Sequence, residues 1–478
     1  MKAEGHVHLG KLWEMKQRWE QARLQYEAAT VADPGHLPAW LHLGELLTDL
    51  QDYDGAAATY RKARRFHPQS DILQQHLDRL FPQVKTLAAV PPAPPAGPHL
   101  LLYTDCPGRY GSGEINHALA CGLHTAGFRV SIAQAMHGDP RVGEREALGI
   151  RHRPLRADSI YRAGERRALV DATEAEALLA HDPPHAILFA DGCPLSNLAA
   201  RELALRGGVP VISIVHAVAE EWVAEFASHL PRLAAVYAQQ LEVVAVSQHG
   251  LAHLRRSFQL GPAKGRVILN GRPDAWFAEV DEGARQRIRA ALEVPDDSLL
   301  VLTTASLELR KGHQYQLQAL GLLAARCPDL PIHLMWAGGG TQKQPLRARA
   351  AKIPFPVHLL GERGDIPDLL DACDGVVLTS EFEGMPLAVM EAMARGKPVA
   401  ATAVSGIPEA LGPTGWLLPD PRQDAEATAA ALADVLVGWQ ADPVGRQAAG
   451  AAGRERAQRL FREARMVAEY VGLLRSMG

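Results

Sequence analysis

The sequence predicts an α/β protein in which two doubly wound domains face each other across a cleft, preceded by an all-helical repeat segment. Three observations predict this class. Residues 1–80 repeat one spacing of small and aromatic residues with a period of 34. Residues 99–275 alternate short apolar runs with helical patterns, and residues 276–478 do so again. Each half therefore supplies one parallel sheet, with its ligand-binding edge toward the other half.

Length and composition are those of an ordinary globular protein with several domains. The chain has 478 residues, of which 47% are hydrophobic and 22% charged. Its net charge of −4 argues against a nucleic-acid partner. Five scattered cysteines indicate a reducing compartment and neither a disulfide framework nor a zinc site. Because the N-terminus has no apolar signal core and no run approaches the length of a membrane span, we expect a cytoplasmic protein.

Two units of one spacing form the N-terminal segment. The positions that recur 34 residues apart are Leu9 and Leu43, Gly10 and Gly44, Ala22 and Ala56, Tyr26 and Tyr60, Ala29 and Ala63, and Pro34 and Pro68. The spacing resembles the tetratricopeptide repeat, a helix–turn–helix unit of this period. We predict tetratricopeptide-like repeats over residues 1–87, with two roles left open. They offer residues 1–80 as a concave face to a protein or peptide partner, or they are a stabilising or dimerising appendage.

A proline-rich linker at residues 88–98 is predicted to separate the repeats from the first α/β domain. The first apolar run of that domain is followed by a turn with Gly111 and Gly113, and then by a helix. These glycines do not form the tight G-x-G-x-x-G fingerprint of dinucleotide-binding domains, which disfavours a nicotinamide-dependent enzyme. Because arginines and acids alternate over residues 141–167, we interpret that segment as a solvated face, with peripheral membrane contact as the alternative.

A histidine and a basic turn are candidate ligand-binding features at the two predicted sheet edges. His216 ends the apolar run 209–215, and open α/β sheets bind ligands at this carboxyl edge. A structural role for this histidine and a contact with a ligand both stay open. In the second half, Arg310 and Lys311 precede Gly312 between a predicted strand and a helix. Basic side chains beside a glycine at such a junction suit a phosphate group.

Residues 379–409 combine a strand end, a glycine-bearing turn and a helix start. Pro386 is predicted as the first helical residue because its fixed φ suits that position, and Gly396 as the residue that ends the helix. The unpaired N–H groups of a helix start suit a phosphate. Glu383 precedes the helix, whereas Glu391 falls within its apolar sequence, where a carboxylate is costly to bury without a polar partner. The alternative interpretation is a capping residue and a surface carboxylate.

Four longer motifs carry most of the information about function. They are EFEGMPLAVMEAMARGKPVAATAVSGIPEAL with its Glu-x7-Glu spacing, GERGDIPDLLDACDGVVLTS, VAVSQHGLAHLRRSFQLGPAKGRVILNGRPDAWF and PGRYGSGEINHALACGLHTAGFRV. Together they resemble retaining glycosyltransferases of family 4, over about residues 99–478. The resemblance implies the GT-B fold, in which an N-terminal Rossmann-like domain on the acceptor side (99–275) faces a C-terminal donor-binding one (276–478). It also implies that the last helix packs back on the first domain.

The resemblance implies three catalytic residues and a donor-binding set. Lys311 would neutralise the leaving diphosphate, Glu383 would lie beside the transferred sugar, and His216 would contact the sugar near its reacting carbon. Glu391 would hold the ribose hydroxyls of the nucleotide. In the donor-binding set, Gly113 would approach the phosphate, and Gly361 and Arg363 would border the base. The whole set is Gly111, Gly113, Arg310, Lys311, Gly361, Arg363, Glu383, Gly384, Met385, Pro386, Leu387 and Glu391.

One position departs from the family pattern. The family usually carries an arginine five residues before the phosphate-binding lysine, and Ser306 occupies that position here. We hypothesise that Arg310, next to the lysine, supplies the missing charge. Because no acidic doublet suggests a metal site, we expect side chains and the helix start to supply the positive charge without a metal ion or cofactor.

The function predicted from the sequence is transfer of a sugar from a nucleoside diphosphate sugar to a polypeptide, lipid-linked or saccharide acceptor, with retention of configuration. Two alternatives stay open. The first is a nucleotide-sugar-binding scaffold whose repeats recruit partners. The second is a nucleotide-sugar epimerase with the same GT-B fold.

Overall fold

The structure is a computed structural model. It describes residues 2–15, 18–50, 53–68, 70, 72–73, 76–77, 95–106, 111–135, 139, 141–155 and 167–476. The predicted linker at 88–98 lies outside the described residues except for 95–98. Across the described ranges, no helix is both long enough and apolar enough to cross a membrane.

The described N-terminal residues form helices α1 (Ala3–Met15), α2 (Trp19–Ala32), α3 (Leu37–Asp49) and α4 (Tyr53–Arg64). A Cβ added to Gly10 would lie 2.4 Å from the Tyr26 ring, and one added to Gly44 would lie 2.3 Å from the Tyr60 ring. Only glycine therefore allows each close approach of helix and ring. Each tyrosine also stacks on a later histidine, Tyr26 on His42 and Tyr60 on His76. Both contacts recur after 34 residues, so the period of the sequence is also a period of packing.

A parallel sheet forms the core of the next domain, with strands in the order β3-β2-β1-β4-β5-β6-β7. The strands are β1 (His99–Thr104), β2 (Arg129–Ala135), β3 (Arg151–Leu155), β4 (Ala186–Asp191), β5 (Val211–Val215), β6 (Glu242–Ala245) and β7 (Arg266–Val267). The helices are α5 (Gly111–Thr125), α6 (Val142–Ala147), α7 (Arg167–Val170), α8 (Thr173–His181), α9 (Leu198–Arg206), α10 (Glu221–Glu225), α11 (Leu230–Gln239) and α12 (Gln248–Ser257). Strands β1 and β4 are buried along their whole length, which explains their continuous apolar sequences.

The prediction that residues 141–167 form a solvated face is wrong at one arginine. Arg145 is only 1% exposed, and its guanidinium lies 2.8 Å from the Asp139 carboxylate and 3.0 Å from Gln134 Oε1. The carboxylate and the amide oxygen offset part of the cost of burying this cation. Within the same segment, residues 156–166 lie outside the described residues. This part of the domain is therefore held together by a buried ion pair.

A second parallel sheet forms the core of the C-terminal domain, in the order β10-β9-β8-β11-β12-β13. The strands are β8 (Leu299–Thr304), β9 (Ile332–Ala337), β10 (Val357–Gly361), β11 (Gly375–Leu378), β12 (Val399–Thr402) and β13 (Trp416–Leu418). The helices are α13 (Glu282–Ala291), α14 (His313–Arg326), α15 (Lys343–Ala350), α16 (Ile366–Ala372), α17 (Leu387–Ala394), α18 (Ile407–Leu411), α19 (Ala425–Ala441) and α20 (Pro443–Leu460). Both sheets are parallel and carry helices, so each domain is doubly wound.

The chain crosses between the two domains twice at one place. The Arg272 N–H donates to the Phe461 carbonyl at 2.7 Å, and the Glu463 N–H donates to the Arg272 carbonyl at 2.9 Å. After this crossing, helix α21 (Glu463–Arg475) lies against the first domain. Its apolar residues share one cluster with that domain, in which Met466, Tyr470 and Leu473 meet Leu100 and Ile115. The final helix thereby ties the two domains together beside the crossing.

Candidate active site

Helix α17 and the turn before it form the C-terminal side of the site. The chain leaves β11 and turns through Glu383 into the helix. Pro386 caps the helix with an extended backbone (φ −71°, ψ 124°) and Leu387 is the first helical residue, so the predicted helix start is wrong by one position. Gly396 follows the helix with φ +69°, the left-handed conformation predicted for it. Met385 is buried, which fixes the turn in place.

An ion pair joins two loops at this turn. Lys311 Nζ lies 2.5 Å from Glu383 Oε1, and the Ser380 hydroxyl donates to the same oxygen at 2.8 Å. The two charged side chains are only 15% and 10% exposed. Burial raises the pKa of Glu383, but Lys311 and Arg310 outweigh burial, so this pKa lies below its usual value. Burial lowers the pKa of Lys311, and the Glu383 carboxylate offsets this effect only in part.

Backbone contacts hold the turn that carries Lys311. Gly312 has φ +72°, and a Cβ added to it would lie 1.8 Å from the Thr379 carbonyl oxygen. The Thr379 hydroxyl donates to the Gly312 carbonyl at 2.9 Å. The Glu381 N–H donates to the Arg310 carbonyl at 2.8 Å. These contacts attach the basic turn to the chain that leaves β11, and so hold the lysine against the carboxylate.

Gly312→Ala is expected to lower the free energy of unfolding by about 2 kcal/mol or more, because the left-handed backbone and the Thr379 carbonyl both oppose a Cβ. Gly321→Ala is the matched control. Gly321 lies in the interior of α14, and nothing lies within 4 Å of an added Cβ. This control is expected to raise the free energy of unfolding by up to about 1 kcal/mol. Urea denaturation measures both, and equal effects would contradict the packing of the basic turn.

Glu391 lies further along α17 and is buried. Arg272 Nη2 lies 2.8 Å from Glu391 Oε1, and Arg272 Nη1 lies 2.7 Å from Glu114 Oε2. Burial raises the pKa of Glu391 to about 7, while Arg272 lowers it and Glu114 raises it further. The polar partner that a carboxylate on this apolar helix requires is therefore a residue at the domain crossing. Arg272 is not among the residues predicted from the sequence, although a charged residue directly after an Asn-Gly turn was a usable signal.

The N-terminal domain meets the α17 turn at two predicted positions. A Cβ added to Gly384 would lie 1.8 Å from the His216 carbonyl oxygen. One added to Gly111 would lie 3.2 Å from Leu387 Cδ1. His216, Glu383 and Gly384 line one interdomain pocket. The structure therefore brings residues predicted from both halves of the chain together where the two domains meet.

His216 is oriented by a residue that sequence analysis did not single out. Its Nε2 lies 2.9 Å from Asn116 Oδ1, and its side chain is buried. Burial lowers the pKa of His216 to about 4. Asn116 lies on the buried face of α5, beside Ile115 and Leu119. A single amide among apolar neighbours on one helix face was the signal that could have found it.

Four other predicted donor-binding residues lie elsewhere in the two domains. Gly113 is buried in the first turn of α5. Gly361 ends β10 with φ +70°. Arg363 forms an ion pair with Asp365, with Nη2 2.5 Å from Oδ2. Arg310 is exposed and donates to a backbone carbonyl at 3.4 Å. The contacts of these residues with a donor stay predictions.

Each of the two α/β domains matches a glycosyltransferase family model over part of its length. The family described as Glycosyltransferase Family 4 matches residues 111–275, and the family described as Glycosyl transferases group 1 matches residues 298–437. Each match covers about a third of the chain or less, and both family descriptions are of glycosyltransferases. The resemblance carried by the sequence motifs is confirmed to this extent.

Two curated relatives match parts of the chain. A D-inositol 3-phosphate glycosyltransferase from Corynebacterium urealyticum is 29% identical over 197 residues, which cover 39% of this chain and 46% of that protein. An alpha-maltose-1-phosphate synthase from Mycolicibacterium smegmatis is 28% identical over 281 residues, which cover 55% of this chain and 71% of that protein. The match to the first thus spans less than half of that relative's length.

Solved structures show the same fold. HepE from Anabaena in complex with UDP has a TM-score of 0.66 at 18% identity, with 79% of this chain and 100% of that chain covered. Sucrose-phosphate synthase from Thermosynechococcus elongatus has a TM-score of 0.63 at 22% identity, with 80% of this chain and 99% of that chain covered. The prediction of two Rossmann-like domains of the GT-B type is therefore confirmed.

Proposed function

We propose that the protein is a retaining glycosyltransferase that moves a sugar from a nucleoside diphosphate sugar to an acceptor. The observation that carries the proposal is the Lys311–Glu383 pair at the start of α17, beside His216 of the other domain. A nearly buried cation and a fixed carboxylate lie at the turn before the start of α17, and the carboxylate residue also lines the interdomain pocket. Such a set stabilises the negative charge that develops on a leaving diphosphate.

Lys311 is the residue that we assign to the leaving group. In the free protein its ammonium is held by Glu383, and an ammonium has three N–H donors, so it can contact a phosphate oxygen while keeping that partner. Negative charge grows on the diphosphate as the bond to the sugar breaks. A cation that is already in place interacts more strongly with that transition state than with the bound donor, and this difference lowers the barrier.

For the chemical step we propose transfer on one face of the sugar. The bond from the anomeric carbon to the diphosphate oxygen breaks while the bond to the acceptor oxygen forms on the same face, and the diphosphate takes the proton of the acceptor hydroxyl. The contacts of Glu383 support this choice over a covalent intermediate. One of its oxygens already holds Lys311 and Ser380, which makes this carboxylate a weaker nucleophile.

Glu391 is the residue that we assign to the nucleotide ribose. An ionised carboxylate accepts hydrogen bonds from two neighbouring hydroxyls, which suits the 2′ and 3′ positions of a ribose. Solved structures of HepE hold UDP and UDP-glucose. We therefore propose a uridine diphosphate sugar as the first donor to examine.

For the N-terminal helices we propose a tetratricopeptide-like segment that binds a polypeptide partner or acceptor. The support is the repeated contact of Gly10 with Tyr26 and of Gly44 with Tyr60. A lipid-linked or saccharide acceptor would use the cleft alone. Removing residues 1–64 distinguishes these acceptors, because the deletion would leave transfer to an acceptor bound in the cleft alone unchanged.

Ser306 occupies the position where the family usually carries an arginine. If Arg310 supplies the charge of that arginine, Arg310→Ala is expected to lower turnover about tenfold. Since Arg310 is exposed, salt screens its charge, and the loss should be greatest at low ionic strength. Initial rates at two salt concentrations measure this effect. Full activity of the variant at low salt would reject the hypothesis that Arg310 supplies this charge.

A panel of nucleoside diphosphates and their sugars tests the proposed donor by thermal shift. A ligand that binds only the native protein at 100 times its Kd stabilises it by about 2.7 kcal/mol, which corresponds to a few degrees in melting temperature. We expect UDP or another nucleoside diphosphate to raise the melting temperature, and nucleosides to have little effect. Glu391→Gln is the matched control and should reduce the shift, because it removes the charge but keeps the size of the side chain.

Product analysis separates the proposed function from the two alternatives. A transferase releases free nucleoside diphosphate faster when acceptor is present, and the new glycoside keeps the donor's anomeric configuration. A nucleotide-sugar epimerase would instead change the sugar of the donor. A scaffold would bind donor and form no product. Because we propose that Lys311 and the helix start supply the positive charge, turnover should persist in EDTA.

A further inference from the structure

Only one of the two ring nitrogens of His216 has a hydrogen-bond partner among the described residues. Nε2 lies 2.9 Å from Asn116 Oδ1. Nδ1 is buried and has no hydrogen-bond partner among the residues that the structure describes. The same residue lines the interdomain pocket with Glu383 and Gly384. A buried nitrogen without a partner beside a ligand cleft needs an explanation, because burying an unsatisfied polar atom is costly.

The orientation of the Asn116 amide follows from its other partners. Its Nδ2 lies 2.9 Å from the Ala190 carbonyl oxygen and 3.3 Å from the Thr104 hydroxyl. A carbonyl can only accept, and the Thr104 hydroxyl already donates to the same carbonyl at 2.6 Å. The NH2 group must therefore face Ala190, which leaves Oδ1 facing His216. An amide rotated by 180° would place its oxygen against the Ala190 carbonyl oxygen, and two acceptors cannot form a hydrogen bond.

We propose that Asn116 is a positioning residue that holds His216 as its Nε2–H tautomer, so that the imidazole presents only a hydrogen-bond acceptor, Nδ1, to a hydroxyl of the donor sugar. An oxygen at Asn116 accepts only from a protonated Nε2, and the neutral ring then carries its lone pair on Nδ1. Because burial lowers the pKa of His216 to about 4, the ring stays neutral near pH 7. The sugar contact rests on the proposed function, whereas the tautomer does not.

The assignment changes what His216 does in the reaction. A ring with its proton on Nε2 and a bond to Asn116 does not donate a proton toward the cleft. It orients the sugar by accepting from one hydroxyl, and that hydroxyl satisfies the nitrogen that is unpaired without ligand. A donor whose sugar lacks the hydroxyl leaves Nδ1 buried and unpaired. Deoxy sugars at that position should therefore be rejected by about 10-fold to 100-fold in kcat/KM.

Nitrogen NMR of the whole protein with ¹⁵N-labelled histidine tests the tautomer directly. His216 is assigned by the signals that disappear in His216→Leu. We expect one protonated nitrogen, Nε2, and a bare Nδ1 in the unliganded protein. In Asn116→Leu the acceptor is gone, so the Nδ1–H tautomer should also be populated. A proton on Nδ1 in the wild-type protein would overturn the proposal. The measurement is made on the wild-type protein, and a folded variant is needed only to assign the signals.

A double-mutant cycle tests whether Asn116 acts through His216. Asn116→Leu should lower kcat/KM about tenfold or more in the wild-type background, and should have little further effect in the His216→Leu background. Equal losses in both backgrounds would show that Asn116 serves the fold alone and would overturn its positioning role. If no nucleotide sugar supports transfer, the proposed function fails, and the NMR spectrum still confirms or overturns the tautomer.

Discussion

Lys311→Ala is expected to lower kcat about 100-fold to 1,000-fold, the loss typical of removing one fixed group that stabilises transition-state charge. Its ammonium is nearly buried, lies 2.5 Å from Glu383, and is placed by the turn at Gly312. A charge in such a position is screened little by solvent and needs no rearrangement when the diphosphate leaves. Steady-state rates of nucleotide release at saturating donor measure the effect.

Lys311→Gln isolates the charge from the packing. Glutamine keeps a donor for Glu383 but removes the cation, so the melting temperature should change less than in Lys311→Ala while kcat falls by a similar factor. Lys352→Ala is the surface control, since Lys352 is exposed. If Lys311→Gln turned over donor at the wild-type rate, the lysine would be a structural partner of Glu383 and the charge would have to come from elsewhere.

The sequence located most of the strands and missed two that lie at sheet edges, β3 and β13. Strands β1 and β11 read as continuous apolar runs because helices cover both faces of the sheet. Strand β3 lies at the edge and has the sequence RHRPL, which does not look like a buried strand. Strand β13 has only three residues and lies at the edge of the other sheet. An edge strand that is polar or very short makes few apolar contacts, so its sequence carries little signal.

The site was predictable where its residues share a local motif and not where they meet across the fold. Lys311 beside a glycine turn and Glu383 before a helix start each carry a phosphate signal of their own. The partnership of Asn116 with His216 joins residues 100 positions apart, and no spacing in the sequence encodes it. The ion pair of Arg272 with Glu391 depends in the same way on how the two domains pack. Such contacts require the structure.

Glu391→Gln is expected to raise the KM for donor about 10-fold to 100-fold and to change kcat little, because a hydrogen bond to a charged group contributes about 1.5–3 kcal/mol and the ribose lies away from the reacting bond. The wild-type protein should also show a pH dependence that the variant lacks. Burial raises the pKa of Glu391 to about 7, so the carboxylate gains a proton as the pH falls through that value. The acid form accepts fewer hydrogen bonds, and donor KM should rise toward low pH. A wild-type KM that is flat from pH 8 to pH 6 would contradict the assignment of Glu391.

Arg272→Met tests the same carboxylate through its partner. Arg272 is the cation that lowers the pKa of Glu391, and its removal leaves the repulsion from Glu114, so this pKa should rise further. The acid form would then persist to higher pH, and the rise in donor KM should begin at a higher pH than in the wild-type protein. Arg326→Met is the matched control, because Arg326 forms an exposed ion pair with Asp434 away from the cleft. If the KM profile of Arg272→Met overlaid that of the wild-type protein, Arg272 would serve the domain crossing alone, and the ionisation of Glu391 would have to be set by the donor.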